Sequence, residues 1–84
     1  MHAADEGLVE TLAVEILDYL ASRPLAADSV EGVARWWLKP ARAGVSLGQV
    51  ERALGLLVSR GRMRRLSLED GTVLYSPLLP GDRQ

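Results

Sequence analysis

The apolar residues recur with a helical period three times along the chain and then, from Met63, with a period of two. That change limits the chain to a short unit of three helices closed by a hairpin. Over residues 8–21, Val9, Leu12, Ala13, Ile16, Leu17 and Leu20 form the first apolar stripe, and Glu10, Glu15 and Asp18 mark its polar face. Ser22-Arg23-Pro24 ends it, because Pro disfavours helical backbone in the residue before it. The second helix is expected from about Ser29, with Asp28 as N-cap and Glu31 completing a capping pair. Val30, Val33, Ala34 and Trp37 are its buried stripe, with Trp36 at the edge. Pro40 closes it, and residues 39–45 link it to the next helix.

The third helix spans residues 46–59, opened by the S-x-x-Q signal of Ser46 and Gln49 and stopped by Gly61 at C′. Val50, Ala53, Leu54, Leu57 and Val58 face the core. Gly48, Arg52, Gly55 and Ser59 face away, flanked by Gln49, Glu51 and an exposed Leu56. Gly55 costs about 1 kcal/mol relative to Ala in mid-helix, which points to close approach by DNA or by another helix. Beyond it Leu66 and Leu68 alternate with Arg65 and Ser67. Glu69-Asp70-Gly71 forms a turn, and Thr72 to Tyr75 returns. The expected pairing sets Leu68 against Val73 and Leu66 against Tyr75, all four on one face.

At 84 residues the chain is expected to be a single domain over 8–76, with a disordered N-terminus (1–7) and an extended C-terminal tail (77–84). Without Cys there is no disulfide framework, thiolate zinc site or cysteine nucleophile. The single His, at position 2, leaves no base to activate a serine. Phosphate-cradling glycine motifs are absent as well. We therefore expect no enzyme, cofactor, metal or small-molecule substrate. The acidic start lacks a signal-peptide core and no apolar run is long enough for a membrane, so the expected location is cytoplasmic.

Charge is unevenly spread. Residues 1–31 carry a net −6, residues 32–68 a net +7 and residues 69–84 a net −2. The acidic and basic parts are suited to attract one another between copies.

SLGQVERALGLLVSRGRMRR followed by LEDGTVLYS resembles a winged helix-turn-helix domain, mainly α with a small β-hairpin, over residues 8–76. In that resemblance Val45 matches a short edge strand that joins the hairpin. It implies a small, bacterial-like transcriptional regulator that binds double-stranded DNA, with the third helix in the major groove. Arg52 is then suited to guanine, Gln49 to adenine, and Ser46 or Ser59 to either. Lys39, Arg42, Arg60, Arg62, Arg64 and Arg65 are the expected phosphate contacts. The acidic wing tip, Glu69-Asp70, would repel phosphate. The alternative is a winged-helix protein-interaction module, a subunit of a larger complex or a homodimer, using Trp36, Leu56, Leu78 and Leu79.

Overall fold

The computed structural model describes residues 2–78, with side chains described from residue 6 onward. Three helices are followed by a two-stranded antiparallel hairpin: α1 (His2–Ser22), α2 (Val30–Gly32), α3 (Leu47–Ser59), β1 (Met63–Ser67) and β2 (Val73–Pro77). α2 runs on into a π-helical turn, Val33–Trp37. A 3-10 turn, Pro40–Arg42, occupies the link to α3. This is the mainly helical fold with a β-hairpin that the periodicity predicts.

α1 begins at His2 rather than Leu8, so it takes in residues 2–7. Val9, Leu12, Ala13, Ile16 and Leu20 are buried along it, as the stripe predicts. Glu15 departs from its expected polar face: the residue is only 6% exposed. At the far end, Trp37 stacks on Tyr19 with ring centroids 4.7 Å apart, and the Arg23 guanidinium lies 4.4 Å from the same Tyr19 ring centre. These contacts fasten the end of α1 to the π-helical turn.

The N-cap of α2 is Ser29, not Asp28: the Ser29 hydroxyl accepts from the Gly32 amide at 3.2 Å. This moves Glu31 out of the position a capping box requires. Asp28 is drawn into a strand-like bridge instead. Its N–H donates to the Tyr75 carbonyl at 3.0 Å, and the Tyr75 N–H donates back at 2.7 Å. Asp28, rather than Val45, is therefore the residue that joins the hairpin. Val45 is half-buried against the core, its N–H donating to the Arg42 carbonyl in the link.

α3 forms as its local signals dictate. Ser46 caps it, and the reciprocal bonds with Gln49 complete the capping box. At the other end Gly61 takes a φ of +73°, Arg62 N–H donates to Leu57 and Gly61 N–H to Val58, a Schellman closure. Val50, Ala53, Leu54 and Leu57 are buried against α1 and α2. Val58 is half-buried at the margin of the core.

The hairpin register differs from expectation by one residue. Leu66 pairs with Leu74, Ser67 with Val73 and Arg65 with Tyr75. The cause is the turn. Gly71 N–H donates to the Leu68 carbonyl, Gly71 has a φ of +92°, and Leu68 N–H donates to Thr72. Glu69, Asp70 and Gly71 thus form a three-residue loop with a glycine bulge, which shifts the return strand. Met63 and Tyr75 consequently face the core, while Leu66 and Leu68 stay 45% and 40% exposed.

Candidate nucleic-acid interface

The candidate interface starts at the capped end of α3. The Ser46 hydroxyl accepts from the Gln49 amide at 3.1 Å, and Gln49 Oε1 accepts from the Ser46 amide at 3.0 Å. Two of the four expected base readers thus serve the helix start. The third, Ser59, donates its hydroxyl to the Leu56 carbonyl at 2.8 Å. The fourth, Arg52, is exposed and borders a shallow cleft of about 430 Å³ together with Glu6, Gly7, Val9, Glu10 and Leu56. The outer face of α3 therefore adjoins the acidic first half of α1.

The expected phosphate contacts fall into two groups. Arg60 and Arg42 are held by acids of α1. Arg60 grips Glu10 with both arms, Nη1 to Oε1 at 3.2 Å and Nη2 to Oε2 at 2.5 Å. That hydrogen bond holds the Glu10 carboxyl below its usual range and raises the Arg60 guanidinium. Arg42 places Nε and Nη2 each 2.8 Å from Glu15 Oε2. The other Glu15 oxygen, Oε1, is buried without a hydrogen-bond partner among the described residues. Arg62, Arg64 and Arg65 form the second group, exposed where the chain enters the hairpin. Lys39 is exposed apart from both, beside a groove it shares with Arg35, Leu38 and Leu47.

At the wing tip, Asp70 Oδ1 accepts from the Thr72 amide at 2.9 Å. This bond holds the Asp70 carboxyl below its usual range and keeps the tip negative. Of the expected protein-contact residues, Trp36 is 68% exposed. Leu56 is half-buried against the core rather than exposed, because it leans toward α1 at the cleft. Leu78 is half-buried, with its N–H on the Arg62 carbonyl at 3.2 Å. Leu79 lies outside the described residues.

The two ion pairs are what reading along the chain misses. Their partners stand 27 and 50 residues apart. The opposed charges of the first and middle segments were the available signal, and these pairs bring them together within one chain. No helix among the described residues is long and apolar enough to cross a membrane. No protein-family model, curated protein or solved structure matches the chain.

Proposed function

We propose that this is a winged-helix module that binds protein rather than reading DNA. The order helix, helix, helix, hairpin supports the winged-helix part, with Asp28 bridging to Tyr75 as a rudimentary third strand. One observation carries the protein-binding part: the acids of α1 lie against the helix that would enter the groove. Glu10 holds Arg60, and Glu6 and Glu10 share the cleft that Arg52 borders. A duplex docked on α3 would meet those carboxylates together with the arginines. Trp36, exposed beside Arg35, is the residue type that anchors protein interfaces.

A second reading, a DNA-binding regulator, is favoured by the exposed arginines of the hairpin, Arg62, Arg64 and Arg65. A duplex-DNA titration of wild type beside the Glu6→Gln, Glu10→Gln double variant separates the two. The module reading expects only weak wild-type binding at low salt, and a gain in the variant as α3 is relieved of negative charge. Tight wild-type binding, lost on Arg52→Ala, overturns it.

A further inference from the structure

β1 is the outer strand of the hairpin, its far edge has no strand partner among the described residues, and the run through β1 into the turn carries a self-complementary charge pattern. The run Arg64-Arg65-Leu66-Ser67-Leu68-Glu69-Asp70 reads as two bases and a leucine, then a leucine and two acids, centred on Ser67. We propose that a second copy of this chain pairs on that edge, β1 against β1 antiparallel, across a two-fold axis at Ser67.

The backbone allows it. Leu68 N–H donates to Thr72, and Leu78 N–H donates to the Arg62 carbonyl. In an antiparallel ladder alternate residues face the partner strand, so Arg64 and Leu66 turn their backbone groups to β2 in the same way. Arg65 and Ser67 turn theirs to the free edge. With Ser67 opposite its symmetry mate, the two residues exchange N–H and C=O bonds. Leu66 then stands opposite the second copy's Leu68, and Arg64 and Arg65 run toward the acids of its turn, Glu69 and Asp70. Every contact occurs twice, as an isologous interface demands.

The side chains agree with that register. Leu66 and Leu68 share the face turned away from the core and are 45% and 40% exposed. Leu74, paired across from Leu66, is half-buried on the same face. Edge pairing joins these leucines and their mates into one apolar strip. Arginines alone on an edge strand would repel a second copy. The acids at the tip, placed symmetrically about Ser67, turn that repulsion into attraction. The pairing uses the hairpin and does not depend on Trp36 contacting another protein.

Light scattering and sedimentation of the full chain over a range of concentrations test this. Wild type should dimerise with rising concentration. Arg65→Glu sets a like charge beside the second copy's Glu69 twice, and two such charge reversals together weaken the dimer by about tenfold in dissociation constant. Glu69→Arg should do the same, and the double variant should restore the dimer. Ser67→Pro removes an outward N–H that β2 does not use, so it should give a folded monomer by circular dichroism. A wild type that stays monomeric overturns the proposal. So does a dimer that ignores Ser67→Pro, or charge variants that stay folded while the double variant fails to re-form the dimer.

Discussion

Arg42 and Glu15 are joined by two contacts of 2.8 Å onto a single carboxylate oxygen, tying the link before α3 to the middle of α1. The two ends of this pair are not equivalent. Glu15 is 6% exposed, while the Arg42 side chain is 30% exposed. Removing Arg42 strands a buried carboxylate, whereas removing Glu15 frees a guanidinium that already reaches water. Arg42→Ala should therefore destabilise by about 1–3 kcal/mol. Glu15→Leu, which also removes the unbonded Oε1, should cost less. Denaturant titration of both variants checks the order, and a larger loss in Glu15→Leu would contradict it.

The Glu10–Arg60 pair lies at the surface, so its signature is a dependence on pH. Hydrogen bonding to Arg60 lowers the Glu10 carboxyl below its usual range. A depressed acid stabilises the fold above its unfolded-state pKa and loses that contribution as pH falls through the lowered value. Arg60 stays charged throughout. The melting temperature of Glu10→Gln should fall slightly below wild type near neutral pH, and the two should converge in acid. Added salt should shrink the neutral-pH gap, because exposed pairs are screened.

Neighbouring residues of α3 should respond in opposite directions. Leu54 is fully buried, so Leu54→Ala should cost about 2–5 kcal/mol. At Gly55 a methyl group would meet no neighbour within 4 Å, so the fold itself does not require glycine there. Gly55→Ala should raise stability by about 0.5–1 kcal/mol. Thermal melts of the two variants test both statements.

The paired tryptophans give a similar contrast. Trp37 is 6% exposed and stacked on Tyr19, so Trp37→Ala should cost about 3–5 kcal/mol. Trp36 is 68% exposed, so Trp36→Ala should stay within about 0.5 kcal/mol of wild type. A large loss at Trp36, measured by denaturant titration, would make it a core residue rather than a surface anchor.

Signals that act within a few residues were legible in the sequence. Ser46, Gln49 and Gly61 set both ends of α3 because a cap, its reciprocal bond and a left-handed glycine act locally. The hairpin was legible as a hairpin but not in its register. One bulged residue at Gly71 moves every partner, and nothing in the alternation counts loop residues. Asp28 looked like a cap because its pairing with Tyr75 is set by the packing of distant segments. The ion pairs of Arg42 and Arg60 were not legible for the same reason: their acids arrive from α1 only when the chain is folded. The exposure of Trp36 was nearly correct from helical spacing alone, since one residue's rotation from buried Trp37 carries it off the core.

The salt dependence of duplex-DNA affinity tests most directly whether the α1 acids disarm the basic segment. For a protein that neutralises Z phosphates, log K falls against log salt concentration with a slope of about −0.9Z. With Arg42 and Arg60 held by Glu15 and Glu10, four of the six expected phosphate contacts lie outside those pairs, so binding should be weak at low salt, with a slope no steeper than about −3.6. Tight binding with a slope steeper than about −4 would mean that these arginines leave their carboxylates for phosphate, and would contradict the proposed role as a protein-binding module.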